Sequence, residues 1–239
     1  MIFAVILAGG LGSRAGKIVP KQHAVVNGHQ LIEYTIESFS NCSLIDGIVI
    51  VSNKDYLKEM SLIVLDNKKV MNVIVGGKTR IGSVQAAVKE LAKYASGNDK
   101  VIFSDAARPF VTKKELCGLI SELDRCVAAT TYQKLNETLL KQTEKGISGV
   151  ILREGCLRQT SPEAYLFSTL KKLYLDCSDE AISDYKNIGI DQLVFSGVEI
   201  GLVESSPFNY KITDEEDFAV FEALLSYGFK RIINGDYKE

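Results

Sequence analysis

A chain of 239 residues can bury a full hydrophobic core, and 46% apolar with 24% charged residues is ordinary for a globular protein. A formal net charge of −2 gives no global field for nucleic acid or an anionic membrane, so any anion site must be local. Five cysteines, odd in number and without C-x-x-C spacing, argue against a zinc site or disulfide frame, and the N-terminal apolar run is too short for a leader or membrane span. The expectation is a cytoplasmic protein with reduced thiols.

Ile2 to Leu7 is a continuous, partly β-branched apolar run, as in a strand buried on both faces, and Gly9, Gly10 and Gly12 follow it at once. Strand then glycine loop is how α/β proteins build a phosphate cradle, because glycine lets successive N–H groups turn toward an anion. Arg14, Lys17 and Lys21 add three cations, which suits a polyphosphate. The letters from Gly10 to Ala15 fit a dinucleotide fingerprint, but Gly16 and Pro20 break the helix that fingerprint needs, and Glu33 falls in a segment of helical periodicity. A Walker loop fails because Ile18, not Ser or Thr, follows Gly16-Lys17.

Further along, Leu31 to Phe39 reads as an amphipathic helix, Ile45 to Ser52 as a strand, Tyr56 to Leu65 as a helix, and Val70 to Val75 as a strand running into Gly76-Gly77. A helix from about Ile81 to Tyr94 carries Arg80 and Ser83 at its start, and a strand from Lys100 to Phe103 ends in Ser104-Asp105-Ala106-Ala107-Arg108-Pro109. Alternating strands and helices at this spacing predict a mostly parallel, three-layer α/β sheet, whose ligands bind beyond the carboxyl ends of the strands. That brings Gly9 to Arg14, Gly76 to Ser83 and Asp105 to Arg108 to one edge.

From 128 to 159 the pattern changes to short polar and basic strands, read as a protruding hairpin arm inserted in a single domain spanning 1–239. An exposed arm has unpaired edges and is either covered or lent to a partner. Ser161 to Tyr174 then reads as a helix, Val198 to Val203 as a late strand and Asp214 to Tyr227 as a C-terminal helix.

Asp105 has two readings at this stage, as a carboxylate holding Mg²⁺ against substrate phosphates or as an ion-pair partner of Arg108. Lys211 alone reads as a solvated lysine. His23 and His29 sit in no ligand or triad spacing, and no Ser or Cys occupies a nucleophile elbow. Arg and Lys around one metal-competent Asp suit transfer at phosphorus, where positioning and charge stabilisation do most of the work.

LAGGLGSRAG with PKQ, GGKTRIGSV, SDAARPF, SPEAY and NYKIT followed by EEDF occur in the order seen in the cytidylyltransferases that make CDP-methylerythritol or CDP-ribitol. The chain resembles that family from Val5 to about Leu225. The resemblance implies a three-layer, Rossmann-like nucleotidyltransferase fold with a hairpin arm, and a Mg²⁺-dependent transfer of CMP from CTP to a sugar-alcohol phosphate with release of pyrophosphate. It also implies that Ala8, Gly9, Gly10, Gly12, Ser13, Arg14 and Lys21 embrace the triphosphate, with Arg14 and Lys21 stabilising the α-phosphorus. Gly77, Arg80 and Ser83 match the segment that reads cytosine, and Asp105 the metal-binding aspartate. Arg108, Thr138, Arg153, Ser161 and Lys211 match the acceptor side, with Lys211 also counted as catalytic. Thr138 and Arg153 would reach the neighbouring subunit's site, which predicts a homodimer through the arm.

The departures lie on the acceptor side. Ser161-Pro162-Glu163 stands where methylerythritol enzymes usually have T-P-Q, and the stretch from Asn187 to Asp191 where they have T-D-[DE]-A-S. These favour ribitol 5-phosphate as acceptor, with methylerythritol 4-phosphate as the alternative. A catalytically silent nucleotide-binding protein would be expected to lack Arg14, Lys21 or Asp105, and all three are present. A transferase for hexose or heptose phosphates that uses another base is opposed by the base-reading segment.

Overall fold

The first strand, β1 (Ile2–Ala8), is central: in the computed structural model, which describes residues 1–10, 20–176 and 189–236, it pairs in parallel on both sides. Its neighbours are β4 (Gly47–Ser52) and β6 (Lys100–Asp105), and β5 (Val70–Val75) extends the parallel set beyond β4 as a half-exposed edge. Ahead of β4, β2 (Val25–Val26) and β3 (His29–Gln30) form a separate two-residue ladder. The alternation along β1 sorts its side chains: Ala4 and Ile6 join one core, Phe3 and Val5 the other.

Helices cover both faces. The first core is closed by α1 (Leu31–Ser40), α2 (Leu57–Ile63) and α4 (Lys113–Glu122), and the second by α3 (Arg80–Leu91), α5 (Phe167–Tyr174) and α6 (Ile190–Phe195). Local chemistry sets their starts. Gln30 and Glu33 form a capping box on α1, Thr79 accepts the Gly82 N–H on α3, and Thr112 with Glu115 caps α4. An outer aromatic layer joins Tyr34 and Phe110 to Phe221 of α7 (Glu216–Asn234). That last helix is broken at Gly228, with φ 127°, one residue beyond its expected end at Tyr227.

The sheet continues past β6 with β10 (Leu157–Leu166), β7 (Ala128–Lys134) and β11 (Gly201–Glu204), in the order β11-β7-β10-β6-β1-β4-β5. Within it β10 alone runs against both neighbours. Residues 128–134 and 157–166 are therefore strands of the main sheet, and the separate hairpin consists of β8 (Leu139–Thr143) and β9 (Gly146–Ile151).

The expected helix from Ser161 is corrected: 161–166 is strand, and α5 begins only at Phe167. Ser-Pro-Glu-Ala imitates a helix start, yet Glu163, Ala164 and Tyr165 pair with Phe103, Ile102 and Val101 on one side and with Thr130, Ala129 and Ala128 on the other. Pairing on both edges overrides local propensity. Pro162 is tolerated because the ladder is interrupted between Gln159 and Glu163, where a missing N–H costs no bond. Conversely, α4 was not expected from the sequence, and Leu116, Leu119 and Ile120 bury its inner face.

Candidate functional site

Three turns meet at the carboxyl edge of the parallel strands. Gly9 and Gly10 follow β1, Gly76 and Gly77 follow β5, and Ala106 to Arg108 follow β6, with the Ala106 N–H donating to the Leu7 carbonyl at 3.0 Å. Between them lies a cleft of about 780 Å³, lined by Ala8, Gly9, Gly10, Lys21, Gly77, Arg80, Ser83, Asp105 and Lys211. These nine of its twenty lining residues are sequence-predicted site residues, drawn from segments as much as about two hundred residues apart. Gly12, Ser13 and Arg14 lie outside the described residues, as does Asn187.

Close packing explains the glycines after β5. A methyl group on Gly77 would sit 2.6 Å from the Gly82 carbonyl carbon, so the loop folds directly onto the first turn of α3. In that turn the Ser83 hydroxyl donates to the Thr79 carbonyl at 3.0 Å. On the opposite wall, Gln22 donates its amide to the Ala8 carbonyl at 2.9 Å and the Gly10 carbonyl at 2.7 Å, tying the glycine turn to the segment that carries Lys21. The Lys21 ammonium reaches the Thr213 carbonyl at 3.4 Å, on the chain that carries Lys211.

A second, smaller cavity of about 330 Å³ opens beside the first and shares Arg80 and Asp105 with it; Arg108, Gln159, Ser161, Glu163 and Asp191 also line it. Asp105 is the junction. Lys211 donates to Asp105 Oδ2 at 2.8 Å, while Arg108 Nε lies 3.7 Å from Oδ2 and Arg80 Nη2 3.9 Å from Oδ1. The ion-pair reading of Asp105 holds, with Arg108 as one member of a larger cluster. Lys211 is no solvated bystander.

Burial pushes the Asp105 carboxyl up, but Lys211, then Arg80 and Arg108, outweigh it and hold the group below the usual aspartate range. For Glu163 the balance is reversed: burial pushes its carboxyl above the ordinary value despite Arg80 at 3.7 Å. Burial draws Arg108 down although Asp105 and Glu115 oppose it. Three cations against two carboxylates leave positive charge for an anionic ligand.

Thr138 and Arg153 are not brought into this cluster. Both are exposed at the base of the hairpin, where Arg153 donates to the Asn136 carbonyl at 2.6 Å, and neither lines either cavity of its own chain. Sequence reasoning also missed Gln22, Glu163 as a partner of Arg80, and a buried pair, Glu115 and Asn209. Gln22 carried a signal beside Lys21 in PKQ, Glu163 in SPEAY and Asn209 in NYKIT, two residues before Lys211, whereas Glu115 stood in no such motif.

A doubly covered sheet whose carboxyl edge joins a glycine-lined cleft to a cationic pocket through a single aspartate defines a nucleotidyltransferase. Comparison with known proteins narrows the class. The family profile described as IspD, 2-C-methyl-D-erythritol 4-phosphate cytidylyltransferase, matches residues 2–227. The chain belongs to this family, and it is a sugar-alcohol-phosphate cytidylyltransferase.

Its relatives include a 2-C-methyl-D-erythritol 4-phosphate cytidylyltransferase of Thermotoga neapolitana, 32% identical over 97% of this chain and 100% of the relative. A ribitol-5-phosphate cytidylyltransferase of Lacticaseibacillus paracasei is 34% identical over 94% of this chain and 98% of its own. Among solved structures, the 4-diphosphocytidyl-2C-methyl-D-erythritol synthase of Anaerococcus prevotii superposes with a TM-score of 0.78 at 23% identity, covering 95% of this chain and 96% of that one. It shares the fold.

Proposed function

We propose that the chain transfers CMP from CTP to 2-C-methyl-D-erythritol 4-phosphate: an oxygen of the acceptor phosphate attacks the α-phosphorus, and the bond to the β-phosphate breaks to release pyrophosphate. The observation that carries the reading is Asp105, gripped by Lys211 at 2.8 Å between a nucleotide-sized cleft and a smaller cationic cavity. Ala8, Gly9, Gly10, Gly12, Ser13, Arg14 and Lys21 embrace the triphosphate, and Gly77, Arg80 and Ser83 hold the cytidine. Arg14 and Lys21 stabilise charge on the α-phosphoryl group, and Arg108, Ser161 and Lys211 orient the acceptor phosphate.

Asp105 fits a divalent metal such as Mg²⁺, which is commonly held by one or two carboxylates plus substrate phosphates. Its Oδ1 makes no hydrogen bond among the described residues, and no group of three or more His, Cys, Asp or Glu among them could hold an ion. When bound, the ion would neutralise triphosphate charge and polarise the α-phosphoryl group.

The working unit in this reading is a homodimer, with Thr138 and Arg153 on each arm serving the other subunit's acceptor. The exposed apolar side chains of the arm, including Ile147 at 69% and Val150 at 62%, support an occupied surface. A cytoplasmic setting agrees with a phosphorylated substrate pair. Among the described residues, no helix is long and apolar enough to cross a membrane.

A ribitol 5-phosphate acceptor is the second reading, favoured by Ser161 and Glu163 and by the relative from Lacticaseibacillus. Glu163 weighs less than its sequence context suggests, because Arg80 takes up its charge inside the protein. Most of the similar named relatives act on methylerythritol phosphate. The test offers the purified chain CTP, Mg²⁺ and each sugar-alcohol phosphate in turn and compares kcat/KM. A preference for methylerythritol 4-phosphate supports the proposal, and a clear preference for ribitol 5-phosphate overturns the choice of acceptor.

A further inference from the structure

Behind the cation cluster lies a buried carboxylate that the chemistry above does not use. Glu115, in the first turn of α4, is 1% exposed. Its Oε2 accepts from the Thr112 N–H at 2.7 Å and the Thr112 hydroxyl at 2.6 Å, which is the helix cap. Its Oε1 accepts from three further donors: the Ser205 hydroxyl at 2.6 Å, the Ser206 N–H at 3.2 Å and the Asn209 amide at 2.8 Å. A cap needs only the first pair. The other three bonds anchor the segment after β11, about ninety residues further along the chain.

Asn209, also 1% exposed, passes this anchorage on. Its amide donates as well to the Ser161 carbonyl at 2.8 Å, and its own carbonyl accepts from Arg108 Nη1 at 3.3 Å. Two residues later Lys211 reaches Asp105 at 2.8 Å. Arg108, Ser161 and Lys211 come from the turn after β6, from β10 and from the segment after β11, and Asn209 touches or adjoins all three. We infer that Asn209, held by Glu115, is a positioning residue that sets the spacing of Arg108, Ser161 and Lys211 for the acceptor phosphate. The inference rests on the proposed acceptor role of those three residues.

The physical case rests on the buried Glu115 carboxylate, since Asn209 Oδ1 and Arg108 Nε are themselves buried without a hydrogen bond among the described residues. A carboxylate offers about four lone-pair sites, and here they are filled from two directions, so the segment from 205 to 209 has little freedom to drift. Removing the Asn209 amide takes its bonds from the Ser161 carbonyl and from Glu115 Oε1, which keeps Ser205 and Ser206, so residue 209 is no longer tied to β10 or α4 and the three acceptor groups are free to separate. Of the nucleotide cleft only Lys211 and the turn from Asp105 to Ala107 adjoin this anchorage; Gly9, Gly10, Lys21, Gly77 and Ser83 lie on other turns and keep their places.

The test compares Asn209→Ala and wild type in the full chain, varying the preferred alcohol phosphate at saturating CTP and then CTP at saturating acceptor. The expected result is a rise of at least about tenfold in acceptor KM, since a shift well under 1 Å already matters for orientation, with the CTP KM within about twofold. Leu119→Val, on the buried face of the same helix, controls for stability: it lowers Tm and leaves the acceptor KM unchanged. An acceptor KM within twofold of wild type in Asn209→Ala, or an equal rise in both KM values, overturns the inference. Should Asn209→Ala fail to fold, Ser205→Ala removes one milder donor to Glu115; a severalfold rise in acceptor KM supports the inference and no rise defeats it. If wild type turns over none of the alcohol phosphates, it is the acceptor reading that fails. Calorimetric titration with inorganic phosphate then still decides on Asn209, where weaker binding by Asn209→Ala supports the role and equal binding refutes it.

Discussion

Substituting Gly77 by alanine tests how the loop after β5 is held. The added methyl carbon would lie 2.6 Å from the Gly82 carbonyl carbon, 2.7 Å from its Cα and 2.9 Å from its oxygen. All three are backbone atoms of a helix turn already fixed by the Gly82 N–H bond to Thr79 at 3.0 Å, so no side chain can swing aside. Ordinary carbon contacts begin near 3.5 Å, so loop and helix must separate by about 1 Å. Overpacking of this kind costs about 1–3 kcal/mol, which for a chain of this size lowers Tm by a few degrees up to about 10 °C. The same displacement carries Gly77 away from the proposed cytidine site, and a misplacement of about 1 Å can cost on the order of a hundredfold in kcat/KM for CTP. The assay pairs thermal unfolding without ligand with steady-state kinetics. Gly10→Ala is the control for stability, because a methyl there meets nothing within 4 Å among the described residues and Tm should hold. A Gly77→Ala protein with unchanged Tm and kcat/KM for CTP within about threefold of wild type would refute the packing argument.

Three further outcomes are expected. Lys21→Ala lowers kcat by at least about a hundredfold, the usual scale for losing one transition-state donor, with a smaller change in CTP binding; near-normal turnover sinks its assignment. Asp105→Asn is less stable than wild type at neutral pH by about 1 kcal/mol, since Lys211 loses its charged partner. Because the folded-state carboxyl is depressed, that advantage is present above the ordinary aspartate range and is lost as pH falls through the folded value, so the two unfolding curves should converge below about pH 4. Mixing inactive Arg153→Ala with inactive Lys21→Ala subunits restores activity if sites are shared across a homodimer, and no recovery despite subunit exchange counts against the arm's role.

Much of the fold was readable because β1, β4 and β6 are buried on both faces and so appear as continuous apolar runs bounded by glycine or aspartate. Their carboxyl ends then located most of the cleft. β10 was unreadable for the opposite reason, as its residues from Ser161 to Leu166 carry a helix-like start and become a strand only through partners on both sides. Glu163 could be read as a substitution but not as the partner of Arg80, because the two come from segments about eighty residues apart. Glu115 and Asn209 were hidden in the same way: a capping box in TKKE gives no hint that its carboxylate also fastens a loop beyond β11. Thr138 and Arg153 entered through resemblance alone, and within one chain they have no place in the cleft.

The reversed direction of β10 has an evolutionary consequence. Strands that end at the ligand edge deliver backbone turns, which tolerate few side chains and hold shape through glycine. A strand that crosses that edge in the other direction delivers side chains from within the sheet instead, so Ser161 and Glu163 can be exchanged without redrawing any loop. Everything assigned to the nucleotide, Lys211 aside, precedes or includes Asp105, and everything assigned to the acceptor follows it or touches it. A lineage could change the alcohol it consumes through the second half of its gene while the first half went on being inherited for CTP.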